Sequence, residues 1–526
     1  MSPEAKEQPA PQAGALTAGR FGRGSGTARP PDDGRPKSLV SQLLELSRHS
    51  VVYGIGGIVS RFLAVFLLPI YTSYLSTADY GAVATLLAGS AVATVILRAG
   101  AGYGFIRFWF DSDDPAYRKR LLRTIFWFQM LMATVGLVLC VALAPQIAGW
   151  LRLNTLSLDS SGTSLVIATG ILLWVNVNYA QLTNLFRAEQ RAVSFSIATL
   201  ANIGITVPLT ILFVVHYKLG PLGVLVGNFS GTLIVFAVLL AYRREQLGLQ
   251  FDRRLLRAVN RFGLPLVPSA LALWVTNFGD RFMLVRLLPE QSALGQVGQY
   301  ALAVNIGSVM VLIFTAFQMA WPAFAYSISE DKDAKRAYAY VLTYLMLLAS
   351  WVALGLSLLA PWIVQILSPR NHNFWPASEA VPALAYSSVF YAGFIVITIA
   401  AGRTKNTQFN WVAAALAAAF NFTLNLWLIP AYGMLGAAYA TLAAYALLLL
   451  VRTWNAQKLY PVPYQWRRVG VVLVAAGVLT ALGKLLPSSL PLAIGLTLVY
   501  PLSLAVLGFY SPLERARLRR LLPAHH

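Results

Sequence analysis

Cysteine is almost missing from this chain: Cys140 is the single example in 526 residues, so no internal disulfide framework can form. The five histidines, His49, His216, His372, His525 and His526, make no cluster with metal-ligand spacing, so no metal or other cofactor is expected. No G-x-x-x-x-G-K-[ST] stretch occurs, which argues against ATP hydrolysis. Charge is scarce as well. Only 12% of residues are Asp, Glu, Lys or Arg, whereas soluble domains carry about a quarter. Acidic residues number 20 against 41 basic ones.

Apolar residues fill the space that charge leaves, at 57% of the chain. Runs of about 18 residues or more, each long enough to cross roughly 30 Å of hydrocarbon, recur throughout. Fourteen are predicted, at about 42–74, 80–106, 121–145, 164–186, 193–216, 221–242, 262–288, 296–324, 337–367, 378–401, 408–430, 433–451, 469–486 and 490–510. The expectation is an all-α integral membrane protein. Residues 1–40 and 513–526 are tails, the first too poor in large apolar residues to form a core. A net charge of +21 first suggests nucleic acid. The distribution of the basic residues argues otherwise, since most fall in the tails and on the loops of one side, such as Arg253, Arg254, Arg257 and Arg261. By the positive-inside rule both termini of this multi-pass chain are cytoplasmic, and no nucleic-acid partner is implied.

An internal repeat divides the segments. Arg61-Phe62-Leu63-Ala64-Val65-Phe66-Leu67-Leu68-Pro69 reappears as Arg281-Phe282-Met283-Leu284-Val285-Arg286-Leu287-Leu288-Pro289, and the same shift places Tyr80 on Tyr300. Lys119-Arg120 and Ala144-Pro145 return as Lys335-Arg336 and Ala360-Pro361, and Gly220-Pro221-Leu222-Gly223 returns as Gly433-Met434-Leu435-Gly436. Six segments per copy give two pseudo-symmetric six-helix lobes, 41–245 and 246–458, around a central cleft, with an extra helix pair at 459–512.

Each copy places an arginine inside an apolar segment. A charge in hydrocarbon costs several kcal/mol on insertion scales of about 2.5–3.5, so Arg61 and Arg281 are candidate substrate contacts. Their planar forks suit the oxygens of a diphosphate. Arg98, before the glycine-rich Ala99-Gly100-Ala101-Gly102-Tyr103-Gly104, is a third candidate if the second helix continues to Arg107; if that helix ends near residue 97, Arg98 is cytoplasmic. Asp280 is the carboxylate well inside a segment. It is open to two readings, charge partner of Arg61 or carrier of a coupling proton. Trp127, Trp174, Trp274 and Trp321 read as packing or interface anchors rather than as a sugar platform.

Several stretches resemble known sequences. Gly57-Ile58-Val59-Ser60-Arg61, Leu75-Ser76-Thr77-Ala78-Asp79-Tyr80-Gly81, Gly100-x-Gly102 leading to Ile106-Arg107-Phe108, and Asn421-x-x-x-Asn425 leading to Pro430-Ala431-Tyr432-Gly433 are similar to motifs of bacterial polysaccharide flippases, in the multidrug/oligosaccharidyl-lipid/polysaccharide (MOP) exporter superfamily. The resemblance spans about residues 40–460. It implies an alternating-access flippase, not an enzyme, moving a polyprenyl-pyrophosphate-linked oligosaccharide across the bilayer for polysaccharide biosynthesis. The implied partners are an anionic lipid-linked glycan and membrane lipids, with the chain a monomer. Ser60-Arg61 matches a pair in the related lipid II flippases, whose last two helices form a lipid groove. The acidic residue that follows the arginine there has no counterpart between Leu63 and Tyr71. Two alternatives stand beside this reading: a cation/drug antiporter of the same superfamily, which would rely on membrane carboxylates, and a membrane glycan polymerase or ligase, which would need larger outer loops.

Overall fold

A computed structural model describes residues 66–156, 161–328, 330–402, 409–487 and 489–510. The predicted tails and the Arg61 end of the first segment lie outside the described residues. Within them the chain is helical and has no strand. Helix α1 covers 66–74. It is followed by α2 (Thr77–Arg98), α3 (Ala101–Trp109), α4 (Pro115–Ala142), α5 (Ala144–Trp150), α6 (Gly162–Ala188), α7 (Ala192–Ile211), α8 (Gly220–Arg243) and α9 (Arg253–Gly263). The second half contains α10 (Val267–Leu287), α11 (Glu290–Gly307), α12 (Val309–Ser327), α13 (Asp331–Leu367), α14 (Ala377–Gly402), α15 (Phe409–Tyr432) and α16 (Met434–Leu459), then α17 (Trp466–Leu485) and α18 (Leu490–Val506).

Among the described residues, ten helices are long and apolar enough to cross a membrane, or eleven if the bent pair Arg253–Leu266 and Ala270–Leu287 is one span. Of the other four predicted segments, the first lies mostly outside the described residues, and those at 262–288, 296–324 and 490–510 are bent, broken or short. The segment at 80–106 ends as one helix at Arg98, because Ala99 and Gly100 both take left-handed conformations, and restarts as α3. The segment at 296–324 breaks at Ser308 between α11 and α12. The last segment, α18, has 17 residues.

Helix starts follow from capping chemistry. Ser76 and Asp79 form a capping box at α2, with the Ser76 hydroxyl accepting from the Asp79 amide and the Asp79 carboxylate accepting from the Ser76 amide. Asp114 caps α4 ahead of Pro115, and Asp252 caps α9. Basic residues occupy the last turns of α2, α6, α8 and α16, at Arg98, Arg187, Arg243 and Lys458, where they complement the carbonyl ends. These ends mark the arginine-rich end of the bundle.

The repeat is visible in the backbone. Gly220 and Gly433, matched in sequence, have φ of 55° and 56°; Gly220 is the first residue of α8 and Gly433 immediately precedes α16. Only glycine adopts that region without strain.

The halves meet at both ends of the bundle: α3 packs against α9 at the arginine-rich end, where a Cβ on Gly100 would lie 2.1 Å from the Gly263 carbonyl oxygen, and α2 crosses α11 at the arginine-poor end. A Cβ on Gly81 would lie 1.9 Å from the Leu294 carbonyl oxygen, and one on Gly298 would lie 2.0 Å from that of Thr77, so the two backbones touch. Hydrogen bonds reinforce this seam. Asn305 donates to the Tyr80 hydroxyl at 2.9 Å, Trp274 to the Ala88 carbonyl at 2.9 Å, Arg152 to that of Leu288 at 2.6 Å, and Asn371 to that of Leu75 at 3.2 Å.

Candidate functional site

Asp280 and Arg281 sit on α10, six or seven residues before its arginine-poor end, and both are buried, at 2% and 7% exposure. They are neighbours in sequence but face different surroundings. The Asp280 carboxylate accepts three hydrogen bonds, from the Tyr300 hydroxyl at 2.6 Å, the Asn425 amide at 2.6 Å and the Thr441 hydroxyl at 2.8 Å. Its partners come from α11, α15 and α16 and are all neutral. Asn421, one turn before Asn425, accepts from the Asn425 amide at 3.2 Å. Among the described residues Asp280 has no ion pair within 4 Å. Its predicted partner Arg61 lies outside the described residues.

The same carboxylate forms part of the wall of a half-open cavity of about 700 Å³ lined by the second half. Tyr391, Phe394, Trp411 and Tyr445 supply aromatic faces, and Asn277, Ser387, Ser388 and Thr441 supply polar ones. Apolar walls with a few convergent polar groups are the usual make-up of an organic-ligand pocket. Sequence reasoning did not find this cavity. Its aromatic residues come from α14, α15 and α16 and follow no single helical pattern.

Arg281 faces the seam between the halves. Its Nη1 donates to the Asn277 carbonyl at 3.0 Å, its guanidinium lies 5.2 Å from the centre of the Phe278 ring, and it interacts electrostatically with Tyr80 of α2 as well as with Asp280 and Tyr300. The repeat-related Tyr80 and Tyr300 are both buried on the second helix of their halves. Tyr80 accepts from Asn305 across the seam, whereas Tyr300 donates to Asp280 within its own half.

Arg98 lies elsewhere. It is the last residue of α2, half-buried, with Arg187 as a like-charged neighbour. It follows Tyr80 by 18 positions, roughly 27 Å along a helix axis. The structure therefore does not bring Arg98 and Arg281 into one binding site. The tryptophans singled out in sequence are packed or tied to the backbone: Trp127 donates to the Gly248 carbonyl, Trp174 to the Thr134 hydroxyl, Trp274 crosses the seam, and Trp321 stacks on Phe317. Among the described residues no group of His, Cys, Asp and Glu could hold a metal ion.

Comparison with known proteins places this arrangement. The family model for "polysaccharide biosynthesis protein" matches residues 72–373, more than half of the chain. The chain belongs to that family. It is 23% identical over 239 residues to an uncharacterized membrane protein, MJ1068, of Methanocaldococcus jannaschii, and the match covers 44% of each chain, so less than half of that curated relative is spanned. Among solved structures it is similar to the lipid II flippase MurJ in an inward closed conformation, with a TM-score of 0.68 and 14% identity over 87% of this chain and 99% of that one. An inward-facing multidrug resistance MATE transporter of the MOP superfamily is similar at a TM-score of 0.60 and 15% identity, over 80% of this chain and 94% of the other. At such identities these likenesses establish the fold alone, one that the chain shares with both structures.

Proposed function

We propose that the protein is an alternating-access flippase. Two six-helix lobes rock about the seam and carry a polyprenyl-pyrophosphate-linked oligosaccharide from the cytoplasmic to the outer leaflet of a bacterial inner membrane. The arginine-rich end faces the cytoplasm, with both termini on that side. The observation that carries this reading is Arg281: a buried guanidinium at the junction of the halves, within a family of polysaccharide biosynthesis proteins, and with no ion pair among the described residues. A fixed cation at the seam suits a diphosphate, and Arg61, its repeat mate, would supply the second fork. Arg98 would meet the anionic head group at the cytoplasmic mouth. Asp280 would tune the charge at the seam or carry the coupling ion.

A second reading has its own support. A cavity of about 700 Å³ with four aromatic walls and one carboxylate also suits an organic cation, as in a drug antiporter.

Substitution at Arg281 separates the two. Arg281→Ala is expected to abolish surface glycan export and accumulate lipid-linked oligosaccharide, with normal protein in the membrane. Arg281→Lys is expected to restore export only in part, because a point charge cannot form the bidentate fork. Full export by Arg281→Ala would remove this residue from the substrate path.

A further inference from the structure

Among the described residues the largest fully buried side chain is Arg452, on α16, with 0% of its surface exposed. Its Nη1 donates to the Asn455 side-chain oxygen at 2.9 Å, while Nε and Nη2 have no hydrogen-bond partner among the described residues. A buried charge left without a counter-charge is strongly unfavourable, and such groups mark functional positions in membrane proteins.

The repeat shows what is missing. Gly220 matches Gly433, so Arg243 near the end of α8 corresponds to Ala456 of α16, and Arg452 lies one turn earlier on the same face. Arg243 is also buried, at 4% exposure, and its Nε likewise has no hydrogen-bond partner among the described residues, but its charge is paired. Its two terminal nitrogens donate to the Glu189 carboxylate at 3.1 and 2.7 Å, and its guanidinium lies over the Phe186 ring. Glu189 follows the end of α6. The corresponding stretch after α14, residues 402–405, is Gly-Arg-Thr-Lys and contains no acid. The second half has kept a buried arginine on this face and lacks the carboxylate.

Arg452 shares a helix face with residues that line the cavity. Thr441, Tyr445 and Leu448 of α16 line the second-half cavity. With Arg452 they form an i, i+4, i+7, i+11 stripe on one helix face. Arg452 lies one turn, about 6 Å, beyond Leu448 toward the arginine-rich end.

We propose that Arg452 anchors an oxyanion site at the arginine-rich end of this cavity. The site takes a phosphoryl group in the place that the Glu189 carboxylate fills in the first half. The group enters when the Leu448 side chain turns aside, and the aromatic cavity beyond receives an apolar chain attached to it. The phosphoryl group arrives either on an amphiphile or as a free anion. This site is separate from the seam at Arg281.

The test is thermal unfolding of the full chain in detergent with farnesyl diphosphate, inorganic diphosphate or farnesol. The wild-type midpoint is expected to rise with farnesyl diphosphate and not with farnesol. Arg452→Met is expected to weaken the half-saturating concentration at least tenfold, and Arg452→Lys severalfold. Apo Arg452→Met is expected to melt no lower than wild type, because an unpartnered buried charge has been removed. An equal, Arg452-dependent rise with inorganic diphosphate would identify a free anion as the ligand; a rise only with the prenyl compound would identify an amphiphile. In an Arg281→Ala background, where the seam no longer offers its cation, the Arg452-dependent part of the shift is expected to remain. The proposal is overturned if wild type responds to neither diphosphate, or if Arg452→Met responds as wild type does. It is overturned also if the shift is lost in Arg281→Ala but kept in Arg452→Met, which would move binding to the seam. If Arg452→Met fails to fold, Arg452→Lys carries the test, and undiminished affinity in that variant overturns the proposal.

Discussion

Alternating access requires the contact between α2 and α11 to open, and its glycines make that step measurable. In Gly81→Ala the added methyl would sit 1.9 Å from the Leu294 carbonyl oxygen, against 3.4 Å for ordinary contact, a shortfall of about 1.5 Å. The obstructing atoms are backbone, so no rotamer change relieves the clash and the helices must separate. Overpacking of this kind costs about 1–3 kcal/mol. The cost falls only on the state in which α2 and α11 touch, so it shifts the equilibrium toward the opened seam by about 5–150-fold. A cysteine at Leu294, which is 2% exposed, reports that opening in a Cys140→Ser background free of other thiols. Labelling by a membrane-impermeant maleimide is expected to accelerate by the same factor in Gly81→Ala. Gly204→Ala on α7, where no atom lies within 4 Å of the added methyl, is the control and should leave the rate unchanged. A Gly81→Ala protein that is stable, yet labels no faster, would refute the reasoning that this crossing is the moving gate.

Other outcomes are expected. Glu189→Gln should destabilise the first half by about 3–5 kcal/mol in a thermal or denaturant assay, because it leaves the buried Arg243 without its counter-charge, whereas Glu189→Leu with Arg243→Met should be close to neutral. Asp280→Asn should insert normally. If the carboxylate couples transport to a gradient, transport in vesicles should lose its gradient dependence while the melting point changes little; a large fall in melting point with gradient dependence intact would make it structural. Reporter fusions at Asn373 should read outside and at Gln250 inside, and the reverse would invert the proposed orientation.

The repeat was the most legible part of the sequence because it is carried by residues with backbone or charge consequences. Gly220 and Gly433 share a left-handed φ, and Tyr80 and Tyr300 are both buried. The break in the second segment was only half legible. The glycine-rich run after Arg98 was plain, but that Ala99 as well as Gly100 turns left-handed, and that a new helix follows, depends on tertiary packing of α3 against α9. Asp280 was legible as an anomaly, not by its surroundings. A lone acid among arginines suggests an ion pair, yet the described structure satisfies it with Tyr300, Asn425 and Thr441, neutral donors 20, 145 and 161 positions away. Asn425 stood in a recognisable motif, but nothing in its spacing points to α10. Arg452 directly follows the apolar run predicted at 433–451, and nothing in its neighbours in sequence marks it as buried. Its burial becomes apparent only when α16 packs against α14 and α15.

The most direct test is reconstitution into liposomes with a fluorescent polyprenyl-diphosphate oligosaccharide and a membrane-impermeant quencher. We expect the wild-type protein to equilibrate the lipid between leaflets and Arg281→Ala to leave it in the leaflet where it started. Wild-type vesicles that leave the lipid in place but accumulate an organic cation under a proton or sodium gradient would contradict the flippase assignment and favour the antiporter.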